Sequence, residues 1–119
     1  MAPSRRPGGA NQSDEELLRS ARAGDEEAFR SLVERYEHKV AATVIGMLGP
    51  GDEADDVGQE TFIRFYRAMG NYRGEARLGT YITRIAINLS LKALKRRRTW
   101  VKRFVKRSTR SSSRSRSRS

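Results

Sequence analysis

The 119-residue chain carries 25 Lys and Arg against 14 Asp and Glu, a formal net charge of +11, with one His and no Cys. This length holds one domain with tails; the absence of Cys excludes a disulfide framework or thiolate metal site, and a lone His argues against a zinc centre or a His-dependent triad. The longest mostly apolar stretch, Val40 to Leu48, is too short for a bilayer, which needs about 20 residues, and no apolar block follows Arg5 and Arg6 to make a secretory signal, so the expectation is a cytoplasmic protein without a membrane span.

Residues 1–12 are rich in Pro, Gly and Ala and read as a disordered lead-in. Ser13 with Glu16 forms a capping-box pattern that starts a short helix ending near Ala23 and Gly24. Asp25 can cap a second helix whose apolar positions Phe29, Leu32, Val33, Tyr36, Val40, Val44, Met47 and Leu48 recur every three or four residues. Gly49-Pro50-Gly51 stops it. Asp52 can cap a third helix with Ala54, Val57, Thr61, Phe62, Phe65 and Met69 inward. Gly70 to Gly74 is a loop, and a fourth helix runs from about Arg77 to Arg98, burying Leu78, Ile82, Ile85, Ala86, Leu89 and Ala93. No period-two alternation appears, so the predicted class is all-α: a compact bundle of three to four helices over 13–98, followed by a basic Ser/Arg-rich tail over 99–119. Within that tail Trp100, Val101, Phe104 and Val105 alternate with bases at helical spacing, and the run from Ser108 is expected to be disordered.

The charge is divided. Residues 14–60 hold 13 acids and 5 bases, residues 61–98 hold one acid and 10 bases, and residues 95–119 hold 12 bases and no acid. An acidic half and a basic half point to two partners: the basic half attracts polyanions, the acidic half meets a basic protein surface. A solvated charged surface is the simpler alternative.

Two surfaces stand out. On the third helix Asp56, Gln59, Glu60, Ile63, Arg64 and Arg67 point away from the inward stripe. An exposed aliphatic among carboxylates and an amide suits an Arg-rich partner helix, although a lone exposed Ile needs no partner. In the loop and fourth helix, Tyr72, Arg73, Arg77, Tyr81, Arg84 and Asn88 combine aromatic planes, cations and an amide, as unpaired bases require. The alternative is that Tyr72 and Tyr81 are rim-of-core residues. The run from Lys95 through Arg96 to Arg98 completes the fourth helix's basic end and can track phosphates. His38 reads as a surface residue near Glu34 and Glu37. No catalytic constellation or Gly-rich phosphate loop is present, so neither an enzyme nor a cofactor is expected.

Asp25 to Phe29 through Tyr36, Asp52 to Ile63, Tyr72 to Ala76 and Thr80 to Asn88 together resemble region two of bacterial sigma-70-type factors, most closely the extracytoplasmic-function (ECF) group. The resemblance covers roughly 14–98 and implies a transcription initiation factor module. Its docking residues on the β′ clamp helices of core RNA polymerase correspond to the segment holding Asp56, Gln59, Glu60 and Ile63. Its capture of a base flipped from the non-template strand of the promoter minus-ten element corresponds to Asn71, Tyr72, Arg73 and Gly74, then Arg77, Thr80, Tyr81, Arg84 and Asn88. An anti-sigma factor is a further partner implied by the same resemblance. The family usually carries Trp where Tyr81 stands and an aromatic where Leu78 stands. Where it often has an acid, Lys92 would favour DNA. A complete member adds a helix-turn-helix domain for the minus-thirty-five element, for which the basic tail leaves no room. The alternative function is a non-specific nucleic-acid or anionic-surface binder acting through that tail.

Overall fold

The computed structural model describes residues 12–116, with side chains as far as Arg107. Four helices follow in order, α1 (Asp14–Arg22), α2 (Glu26–Leu48), α3 (Asp52–Ala68) and α4 (Leu78–Arg116), with a 3-10 turn at Met69–Asn71 between the last two. The expected all-α class is observed, and no strand occurs among the described residues. The expected lead-in lies outside the described residues except for Gln12.

Local chemistry sets the first two starts. Ser13 Oγ accepts from the Glu16 N–H at 3.1 Å while Glu16 Oε1 accepts from the Ser13 N–H at 3.0 Å. Asp25 Oδ1 accepts from the N–H groups of Glu27 and Ala28 at 3.0 and 3.3 Å. Each such cap contributes about 1 kcal/mol. The third start differs from the sequence expectation: Asp52 is the first helical residue, Gly51 precedes it, and no side chain caps the helix. Asp52, Glu53 and Asp55 instead place three carboxylates at the positive end of the helix dipole. Gly49 ends α2 at φ 83°, a left-handed conformation that favours glycine.

The inward stripes meet as their spacing requires. Leu17 and Leu18 of α1, Leu32, Val40 and Val44 of α2, Phe65 of α3 and Ile82, Ala86 and Ala93 of α4 are buried. Phe29, Tyr36, Phe62 and Ile85 pack partly buried around them. Two buried hydroxyls are more informative than the apolar set. Thr61 Oγ1 donates to the Val57 carbonyl at 2.8 Å, which satisfies it within its own helix. Ser90 was not expected inside, yet it is fully buried, and its hydroxyl has no hydrogen-bond partner among the described residues.

α4 is 39 residues long, past the end expected near Arg98 and through part of the segment expected to be disordered. No Gly or Pro follows Gly79, and Lys and Arg are good helix formers, so nothing in the sequence terminates the helix at Arg98. Arg97 marks where it leaves the bundle: its Nη2 donates to the Leu48 carbonyl at 3.0 Å and to the Glu53 carboxylate.

Gly79 explains how α4 enters. It is buried in the first turn of the helix, and a β-carbon there would stand 2.9 Å from Tyr36 Cε1. Gly79→Ala must therefore displace a ring tethered to Asp14. Such overpacking costs about 1–3 kcal/mol, against the roughly 1 kcal/mol that alanine's helix propensity returns. Urea unfolding should show a net loss of stability for this variant, and the same substitution should cost less in a Tyr36→Leu background, where the smaller side chain leaves space for the methyl.

Candidate functional site

The outward face of α3 is set by its inward one. With Ala54, Val57, Thr61 and Phe65 buried, Asp56, Gln59, Ile63, Arg64 and Arg67 are exposed and Glu60 is half-buried. Ile63 retains 43% of its surface. The structure divides this patch in two. Gln59 and Ile63 border an apolar groove between α2 and α3, shared with Val33, His38, Ala41, Ile45 and Phe62. Arg64 lies on the opposite side, in the groove between α3 and α4 with Tyr81, Asn88 and Lys92. Its Nε also donates to Glu60 at 3.3 Å, an exposed pair worth only about 0.3–0.5 kcal/mol. His38 is exposed, as expected, and sits with Glu37 at the edge of the α2–α3 groove. Sequence reasoning missed Ile45, which is 42% exposed in that groove. The signal was available: Ile45 falls beside the α2 stripe, just as Ile63 falls outside that of α3.

The second set of residues is also split. Tyr72, Gly74, Arg77 and Thr80 line a cleft against α1 and α2, where they face Asp14, Arg35, Tyr36 and Lys39. Tyr81, Asn88 and Lys92 line the α3–α4 groove instead. Arg73, Arg77, Thr80, Arg84, Asn88, Lys92, Lys95 and Arg96 are exposed, as are Asn71 and Gly74. The tyrosines are half-buried. Their rings pack on each other at 4.5 Å, and Tyr81 meets Phe65 edge-on at 6.3 Å. Of the two readings open at the sequence level, the rim of the core describes where they sit, so only part of each ring is free to stack on a ligand.

The loop between the 3-10 turn and α4 has a built shape. Arg22, at the end of α1, donates from Nε to the Met69 carbonyl at 2.8 Å and from Nη2 to the Tyr72 carbonyl. The Tyr72 hydroxyl donates to the Ala76 carbonyl, and Gly74 turns the chain at φ 83°. Burial, and then the Glu75 carboxylate, raise the Tyr72 pKa. Arg22 went unrecognised in the sequence because a base in a last helical turn already has a role there, complementing the helix dipole.

The comparisons with known proteins bear on this geometry. The family description Sigma-70 region 2 matches residues 32–100. The chain belongs to the sigma-70 region 2 family. It is 42% identical over 77 residues to the RNA polymerase sigma-H factor of Pseudomonas aeruginosa, covering 65% of this chain and 40% of that protein. It is 43% identical over 76 residues to the ECF RNA polymerase sigma-E factor of Escherichia coli K12, covering 64% of this chain and 39% of that protein. The match thus spans about two fifths of the length of these curated relatives. Among solved structures it is similar to an engineered region 2 of sigma-E in complex with GTAAAA, with a TM-score of 0.65 and 37% identity over 71% of this chain and 87% of that one. The expected resemblance to region 2 of an ECF sigma factor is therefore borne out.

Within this region 2 the cleft beside the loop has one half-buried anchor. Asp14 takes Arg35 at 2.8 Å on Oδ1 and the Tyr36 hydroxyl on Oδ2. Burial first, and then the hydrogen bond to the Asp14 carboxylate, push the Tyr36 pKa from 10.0 up to about 12. A folded-state pKa raised above the unfolded one stabilises the fold below the lower value, and that contribution is lost as pH rises through the higher. Urea-unfolding stability should therefore fall between pH 10.0 and about 12. Tyr36→Phe should remove Tyr36's share of that slope while lowering stability at neutral pH, because Asp14 loses a donor.

Proposed function

We propose that this chain is the part of a transcription initiation factor that docks on bacterial core RNA polymerase and holds the unpaired non-template strand of a promoter minus-ten element. The observation that carries the docking half is Ile63. It is an aliphatic side chain held in solvent by the burial of its helical neighbours, flanked by Asp56, Gln59 and Glu60 and continuous with an apolar groove that includes Ile45. A basic partner helix, the role the β′ clamp helices play for the family, fits such a patch. Carboxylates meet its Arg and Lys, and Ile63 with Ile45 supplies the apolar centre that binding energy concentrates on.

The strand-binding half rests on the loop and α4, away from Ile63. Arg73, Arg77 and Arg84 supply exposed cations for phosphates, and Asn88 with Lys92 supplies polar groups at the α3–α4 groove. The cleft that holds Tyr72, Gly74, Arg77 and Thr80 is the place for an unstacked base, with Lys39 on its far wall. The relative solved with GTAAAA supports a nucleic-acid role for a fold of this kind. A captured base must repay a few kcal/mol of unstacking, and a preformed loop lowers that cost because its ordering is done in advance. Promoter opening then follows from holding the strand that duplex DNA would otherwise keep paired. None of this is bond-making chemistry, so the role is binding and not catalysis.

The docking assignment is tested by co-elution with core RNA polymerase at high salt, where charge attraction from the basic helix is screened. The wild-type chain should co-elute, and Ile63→Glu should not, with its helicity and urea midpoint unchanged because the residue lies outside the core. A truncated centre-of-interface anchor typically costs about 2 kcal/mol or more. Equal retention of both proteins would remove the α3 patch from the interface.

A further inference from the structure

α4 leaves the bundle at Arg97 and keeps an apolar stripe that no other helix among the described residues covers. Trp100 is 65% exposed and Phe104 56%, with Val101 and Val105 about half exposed. The Trp100 and Phe104 rings stack on one another at 5.6 Å, nearly parallel. At about 100° per residue these four positions share roughly 140° of the helix circumference. Lys102, Arg103 and Lys106 occupy the remainder, with Arg98 and Arg107 adjoining its two edges. No Asp or Glu follows Glu75, so the whole helix is without an acid.

We propose that residues 98–107 bind an anionic lipid surface, lying along it with the Trp100 to Val105 stripe at the acyl boundary and the flanking bases at the headgroups. Segregation of the two faces decides among the possible occupants. A duplex would take the basic side and leave the aromatic stripe in water, and a single strand stacking on Trp100 or Phe104 would leave Val101 and Val105 uncovered. A second copy would set one acid-free basic helix against another. An anionic leaflet accepts both faces at once, because Lys and Arg at the edge of an apolar arc reach up to headgroups while their stems stay in the boundary. Each base near such a surface contributes about fivefold in affinity. The mode is peripheral: among the described residues no helix is long and apolar enough to cross a membrane. The inference stands apart from polymerase docking, since none of its residues belongs to the α3 patch.

Trp100 is the chain's single tryptophan, so its emission reports on this helix alone. The full chain is titrated with vesicles of phosphatidylglycerol and phosphatidylcholine in equal parts. Emission should shift to the blue and be quenched by lipids brominated on the acyl chain, while vesicles of phosphatidylcholine alone should do neither. Phe104→Ser, a substitution outside the core that leaves charge and helicity unchanged, should weaken partitioning about tenfold or more. Phe104→Leu should keep most of it. Absence of a blue shift on the anionic vesicles overturns the proposal. So does equal binding by Phe104→Ser, which would show a film held by charge alone. Displacement of the chain from vesicles by single-stranded or duplex DNA, with the blue shift retained on the DNA, would give the stripe to nucleic acid and likewise overturn it.

Discussion

The Phe65 ring has no exposed surface; it packs against Phe29 of α2 at 5.8 Å and meets Tyr81 of α4 edge-on at 6.3 Å. Helical residues two apart lie about 200° from one another, so fixing Phe65 inward fixes Ile63 outward. The same contact sets Arg64 toward α4 and holds Tyr81 half-buried at the groove it shares with Asn88. Both candidate surfaces are consequences of one packing decision, and a change to Phe65 would move them together.

Charge and shape then separate what the core has placed. The acidic patch with Ile63 borders the α2–α3 groove; α3 separates it from the α3–α4 groove of Arg64 and Lys92, and α2 separates it from the loop cleft of Tyr72 and Arg77. The loop is held through backbone carbonyls by Arg22, the last residue of α1. A short helix with few apolar residues thus has two functions: Leu17, Leu18 and Ala21 close the core, and Arg22 shapes the loop. This economy lets a small bundle keep its two candidate surfaces on separate sides.

How much of this was legible in the sequence depended on whether the signal was local. Ser13, Asp25 and Gly49 act on neighbours within four residues, and their roles were readable from spacing. Ile63 was readable because a wrong-facing aliphatic violates a strong period. Gly79 and Arg22 were not readable: one matters for Tyr36, the other for Met69 and Tyr72, all distant in the chain, and no periodicity encodes a partner 43 or 50 residues away. Ser90 violates the pattern outright, a polar residue at a buried position whose helical spacing fits the α4 stripe. Of the loop and helix residues assigned together as one surface, Tyr72, Gly74, Arg77 and Thr80 line one concavity and Tyr81, Asn88 and Lys92 another, because spacing along one helix does not say which neighbour it faces. The end expected for α4 near Arg98 failed for a related reason: composition changes there, but nothing breaks the backbone ladder.

The central claim is that one bundle carries two functionally separate faces. It is tested most directly by measuring the affinity of the chain for single-stranded GTAAAA, the ligand of the sigma-E region 2 relative, as a function of salt. The account predicts that Arg84→Ala weakens binding and lowers the salt slope by about 0.7, one phosphate contact, while Ile63→Glu leaves both affinity and slope unchanged. Loss of oligonucleotide binding on Ile63→Glu in a chain that remains folded, or indifference to Arg84→Ala, would contradict it.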